Sequence, residues 1–159
     1  MGALRAGRAG DARASVWARL AGMCGFVAAG GAIGTTARAQ LESAFAAGPG
    51  EIAWTTLIIN VAGSFALGLF LELMLHAGLD TGWRRALRLG CGTGLLGGFT
   101  TYSAFVLEID QLARDGQVAS AAGYAVGSVL LGLAAAGLGL ATVQLVTRRR
   151  RRHAAGGAR

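Results

Sequence analysis

The sequence has no lysine, a single proline (Pro49), two cysteines and two histidines, and few charges of either sign. Each scarcity excludes something. Cys24 and Cys91 lie inside apolar runs without metal-ligand spacing, while His76 and His153 fall at a helix end and in a basic tail. That excludes a zinc site and a Cys/His nucleophile. The cysteines read instead as small buried core residues. Charged residues make up 14% of the 159, where soluble domains carry about a quarter. The apolar segments also lack the convergent titratable groups that a membrane enzyme needs.

What remains is apolar. Hydrophobic residues make up 53% of the chain, and the few charges cluster at the two ends and in 80–88. Four long segments are left between them: 16–45 (with an uncharged core at 20–37), 52–76, 83–112 and 118–147. Each can cross a hydrocarbon layer of roughly 30 Å, which takes about 20 helical residues. The connections "AAGPGE" (46–51), "AGLDTG" (77–82) and "ARDGQ" (113–117) are short and carry Gly, Pro or Asp, so they read as turns between neighbouring helices. The first segment has a core too long for a signal peptide, and no A-x-A-like cleavage site precedes a soluble domain. The expected fold is all-α and membrane-integral with four transmembrane helices over 15–147. Residues 1–14 and 148–159, rich in Ala, Gly and Arg, are expected to be disordered basic tails.

All the basic side chains apart from histidine are arginines, and they are unevenly placed. Arg5, Arg8, Arg13 and Arg19 precede the first segment, Arg84, Arg85 and Arg88 lie between the second and third, and Arg148 to Arg152 and Arg159 follow the fourth. With four crossings these thirteen of fifteen share one side, leaving Arg38 and Arg114 opposite. The positive-inside rule puts both termini in the cytoplasm of a bacterial inner membrane. The "RRRRR" run at 148–152 reads as a contact with anionic lipid, not nucleic acid.

The 27 glycines are as informative as the missing lysines. Gly30/Gly34, Gly90/Gly94/Gly98 and Gly123/Gly127 repeat a four-residue spacing that lets backbones approach in lipid. Such faces imply a tight bundle or an oligomer. Asn60 lies mid-segment, on one helical face with Thr56, Gly63 and Ser64. An amide at that depth needs partners, either on another helix or along an ion path. Tyr124 and Ser128 share a face of the fourth segment, Arg38 ends the first core, and Glu108 closes the third.

The third segment contains "GTGLLGGFTTYS" (92–103), in which glycines weaken a helix and hydroxyls compete for its backbone bonds. A break at membrane depth is tolerated only in buried or cavity-lining positions, where it exposes carbonyls suited to a bare cation. Beyond it, Tyr102 and Phe105 are three residues apart, so their positive ring edges face the same way.

These segments resemble the Fluc or CrcB family of fluoride channels. The resemblance covers about 20–147 and rests on "GGAIGTTAR" (30–38), "WTTLIINVAGSFALGL" (54–69), "GTGLLGGFTTYSAFVLE" (92–108) and "GLGLATVQLV" (137–146). It implies an antiparallel dimer of four-helix subunits, the third helix broken, with two fluoride pores at the interface. It implies a fluoride pathway through Asn60, Tyr102, Phe105, Ser103, Thr101, Thr56, Tyr124 and Ser128, with Arg38 and Glu108 at the vestibule. It further implies a structural, untransported sodium ion on the backbone carbonyls of Gly97 and Thr100 from each subunit. Tyr102 stands where the family pattern has phenylalanine, and Ala104 where threonine is frequent. The arginine bias points to a partner of opposite orientation, a paralogue, in place of a homodimer. A small multidrug transporter and a non-conducting structural subunit are the rival readings, and the first lacks its acidic residue early in segment one.

Overall fold

The computed structural model describes the backbone of residues 2–156 apart from 49, 77, 79 and 80, and side chains within 16–149. Pro49 therefore lies outside the described residues. Every regular element among them is helical: α1 (Gly2–Ala44), α2 (Trp54–His76), α3 (Gly82–Leu87), a π-helical stretch (Arg88–Leu96), α4 (Gly97–Phe99), α5 (Ser103–Arg114) and α6 (Val118–Gly156). Three helical spans are long and apolar enough to cross a membrane: Val16–Ala44, Trp54–His76 and Val118–Arg149. The third apolar segment contributes none because it is divided among four short pieces. Where tails were expected, the backbone is helical over 2–14 and 148–156. Alanine and arginine are among the strongest helix formers and outnumber the glycines in these stretches, and no proline separates them from the apolar helices they extend.

Two helix pairs build the bundle. α1 packs against the π stretch and α4, and α2 packs along α6. Glycine sets both approaches. A Cβ on Gly30 would lie 2.1 Å from the Gly90 carbonyl oxygen, and one on Gly34 2.1 Å from that of Leu95. On the other pair, a Cβ on Gly68 would lie 2.2 Å from the Ala136 carbonyl, and one on Gly139 2.3 Å from that of Phe65. The spacings at 30/34 and 90/94/98 thus mesh with each other within one chain. Gly123 and Gly127 meet nothing within 4 Å, so that third glycine pair has no counterpart among the described residues of the subunit. Overpacking a close-packed contact costs about 1–3 kcal/mol. Gly34→Ala is therefore expected to lower the thermal midpoint in detergent. Gly22→Ala, with open space around it, should be neutral or stabilising because alanine is the better helix former.

The turns close one end of the bundle. Gln117 Nε2 donates to the Gly50 carbonyl at 2.8 Å, and Thr55 Oγ1 donates to the Phe45 carbonyl at 2.6 Å. Loops 46–51 and 113–117 therefore lie side by side, away from α3 and its arginines. Gly50 and Gly116 have φ of 75° and 78°, a region that glycine enters without a Cβ penalty.

Little of this surface suits water. The small buried core comprises Leu112, Ala121 and Tyr124, packed by Ile52, Leu57, Phe105 and Ile109. Large side chains such as Trp17, Ile33, Trp54, Ile58, Leu133 and Leu138 are exposed. Apolar groups facing outward on all sides fit a lipid solvent, where helices associate by close contact and not by hiding apolar area. The same reasoning corrects the expectation for the cysteines: Cys24 is exposed and Cys91 half-buried, since an apolar residue needs no core in lipid.

Candidate functional site

The helix that α4 begins stops at Thr100, whose backbone is extended at φ −79° and ψ 154°. α5 starts afresh at Ser103. The intervening backbone is held by one side chain from α2. Asn60 Nδ2 donates to the Thr101 carbonyl, and Asn60 Oδ1 accepts from the Thr101 N–H, both at 2.8 Å. The Ala104 N–H goes to Thr101 Oγ1 at 3.2 Å, with Ser103 Oγ 3.3 Å from the same hydroxyl. In a continuous helix the Thr101 and Ala104 N–H groups would bond the carbonyls of Gly97 and Thr100. Here side chains take both N–H groups, which frees the two carbonyls from their helical donors.

The face of α2 marked in the sequence meets this interruption at Asn60 and Gly63, with α5 and α6 on either side of it. Thr56, 2% exposed, donates to Glu108 Oε1 at 2.5 Å. Asn60 clamps Thr101, one turn on. Gly63 gives Thr100 its room, since a Cβ there would meet Thr100 Cγ2 at 2.3 Å. Ser64 lies beside Gly132 of α6.

Below the break, an uncharged groove of about 400 Å³ is lined by Asn60, Ser64, Thr100, Thr101, Tyr102, Phe105 and Ser128, together with aliphatic residues of α2 and α6. Tyr102 is 78% exposed, and its ring lies 6.0 Å from that of Phe105, tilted by 47°. Phe105 in turn lies 5.7 Å from Tyr124 at 43°. Among the described residues the buried hydroxyl of Ser128 has no hydrogen-bond partner. The groove therefore offers an idle hydroxyl, ring edges, and the second N–H of the Asn60 amide, which has two donors and spends one on Thr101.

Thr56 and Tyr124 line a different region. Tyr124 donates to Glu108 Oε2 at 2.6 Å, so the Glu108 carboxylate accepts from both hydroxyls. Glu108 borders a larger cavity, about 550 Å³, at the loop end of the bundle, with Glu42, Glu51, Gln111, Arg114 and Asp115. Arg38 does not neutralise Glu108. Its guanidinium bonds Glu42 Oε2 at 2.8 Å and reaches toward the Gly98 carbonyl at 3.4 Å. A neighbour one turn away on the same helix is the nearer carboxylate. Arg114 is likewise engaged: its Nε donates to Asp110 at 2.7 Å, a bond that raises its pKa above the usual arginine value.

Asn60, Thr101, Tyr102, Phe105 and Ser128 thus share one groove, Ser103 adjoins it, and Thr56, Tyr124 and Glu108 form a second polar node joined to it through the Phe105 ring. A model of the family described as "CrcB-like protein, Camphor Resistance (CrcB)" matches residues 25–140. The chain belongs to the CrcB family. It is 43% identical over 128 residues to "Fluoride-specific ion channel FluC 1" of Cutibacterium acnes, covering 80% of this chain and 90% of that one. It is 46% identical to "Fluoride-specific ion channel FluC 2" of Leifsonia xyli subsp. xyli, over 70% of this chain and 77% of that one. It is 40% identical to "Fluoride-specific ion channel FluC" of Novosphingobium aromaticivorans, over 75% and 94%. The CrcB match spans the clamp, the break, the aromatic pair and most of α6.

Two features of the site were not foreseen. Thr35 and Glu42 belong with Arg38, one turn to either side of it, and Thr35 Oγ1 lies 3.4 Å from the Gly98 carbonyl. Their spacing on α1 was a visible signal. The Glu108 node had none, because it joins residues 52 and 16 positions apart.

Proposed function

We propose that this CrcB chain is a subunit of a fluoride-selective channel that lets cytoplasmic fluoride leave the cell passively, lowering its toxicity. The observation that carries the reading is the uncharged groove. It collects the Asn60 amide, the idle Ser128 hydroxyl and the Tyr102 and Phe105 ring edges. Fluoride is strongly hydrated, so its passage needs donors in place of water. Those donors must also release it, which a fixed cation in mid-pore would hinder. The names of the relatives support the choice of anion, and a channel family leaves no place for an enzymatic reaction or a small multidrug transporter.

The groove is open to the outside of the subunit, and the Gly123/Gly127 face has no counterpart. Both features suit an antiparallel dimer in which a second subunit closes each pore. The freed carbonyls of Gly97 and Thr100 fit a sodium ion: they are neutral hard oxygens, the type that half-helix ends offer to Na⁺. Two such carbonyls from each subunit would hold it as a fixed part of the dimer. Residues 15–147 are the membrane domain, placed with both termini in the cytoplasm of the inner membrane by the thirteen-to-two arginine count.

So one-sided a count disfavours insertion in both orientations, and the partner is an oppositely oriented paralogue. Fluoride efflux from liposomes tests both parts. The chain alone should be nearly silent, and should conduct when an oppositely biased partner is added. Full activity from a dimer of this chain alone would remove the paralogue requirement. Silence with every such partner would leave a non-conducting structural subunit.

A further inference from the structure

The arginine-bearing end of the bundle holds a cavity remote from the fluoride groove. It measures about 460 Å³ and is lined by Leu71, Met74 and Leu75 of α2 with Arg84 and Arg88. Leu71 and Leu75 are both exposed and four residues apart, so they form one outward stripe on α2 that runs toward the two guanidinium groups. Trp83 is 68% exposed, and the Arg84 guanidinium lies 5.8 Å from the centre of its ring. That stacking presents the planar fork of Arg84 at the rim. The acidic group on the adjoining turn, Glu72, is buried, and His76 Nδ1 lies 2.9 Å from its backbone carbonyl and 3.6 Å from its carboxylate.

The two halves of this cavity need different ligand chemistries. Guanidinium forks recognise phosphate oxygens, whereas an exposed leucine stripe is covered by hydrocarbon. A free phosphate would leave the leucines bare, and a neutral acyl chain would make no use of the Arg84 fork presented at the rim. A phospholipid carries both groups, in the order met on moving from α3 along α2 into the membrane. Exposed tryptophan at that level is a mark of the headgroup layer, and basic pockets between helices take acidic headgroups. We propose that this cavity binds an anionic phospholipid, its phosphate on Arg84 and Arg88 and one acyl chain along Leu71 and Leu75.

Native mass spectrometry of the full-length protein, released from detergent with added lipid, tests this. Phosphatidylglycerol should be retained about 10-fold more than phosphatidylcholine, and the double variant Arg84→Gln/Arg88→Gln should lose about 10-fold of that retention, the scale of one strong charge-assisted contact. Leu75→Trp fills the acyl track without altering charge at an exposed position, so it should also reduce retention should the double variant fail to assemble. Arg148→Gln/Arg149→Gln should retain the lipid as the unmodified chain does. Equal retention of the two lipids would overturn the proposal, as would equal loss in the tail variant or no loss in Leu75→Trp. Glycerol phosphate binding as tightly as phosphatidylglycerol would also overturn it, because the site would then be one for free phosphate.

Discussion

Asn60→Ala is expected to reduce fluoride efflux by about 100-fold or more while leaving the protein in the membrane. The amide makes two bonds of 2.8 Å to the backbone of Thr101. Buried bonds of this kind cost about 1–3 kcal/mol each when one partner is removed. Two of them amount to roughly 4 kcal/mol at the middle of that range, and each 1.4 kcal/mol is a factor of about ten. Once free, the Thr101 N–H can return to the Gly97 carbonyl, re-forming a helical bond and withdrawing an oxygen from the proposed sodium site. The groove also loses its amide donor. Asn60→Asp separates these effects: its oxygens still accept from the Thr101 N–H, but no donor reaches the Thr101 carbonyl, and a negative charge faces the anion. Both variants should fail in efflux, with Asn60→Asp retaining more of the native thermal midpoint. Wild-type efflux from Asn60→Ala would show that neither the clamp nor the amide is needed.

Phe105→Leu should be comparably damaging to conduction and much milder for folding. Leucine keeps most of the apolar volume, and such swaps usually cost less than about 1.5 kcal/mol. The lost tilted pairs with Tyr102 and Tyr124 add about 0.5–1.5 kcal/mol each beyond their area. The ring edge itself has no aliphatic substitute: it offers positive C–H groups to an anion without a formal charge. Efflux is expected to fall about 100-fold with assembly unchanged, a change of nearly 3 kcal/mol in the barrier. Efflux within twofold of the wild type would mean that Phe105 only packs, and that the anion path lies along the hydroxyls.

Much of the site was legible because its residues break local rules. Asn60 in "TTLIINVAGSFALGLF" and the glycine-threonine cluster at 97–101 are costly in lipid and stand out for that reason. What the amide does was less legible. The sequence left Asn60 open between a partner on another helix and an ion path, and in the fold two of its bonds go to Thr101 across the bundle. Sequence spacing carries no information on which distant backbone group a side chain meets. Arg38 and Glu108 pose the same difficulty. Both are visible as charges beside apolar runs, but not their partners: proximity along α1 gives Arg38 to Glu42, while two hydroxyls occupy Glu108.

The glycine faces show where periodicity stops. Three four-residue repeats look alike in the sequence, but two of them mesh inside the chain and Gly123/Gly127 faces open space. Helical period tells which residues share a face, and only the folded chain tells what that face meets. Length, apolar runs, arginine asymmetry and the composition of the third segment were therefore enough to determine a helical membrane protein with a weakened third segment, because lipid penalises every charge and every unpaired backbone group; the family came from the resemblance of its motifs. The tertiary structure decided the rest: which carbonyls lose their donors, which hydroxyl is idle, and which ring edges meet in one groove. Those outcomes depend on contacts between α2, α5 and α6 across dozens of residues, and no local preference encodes them.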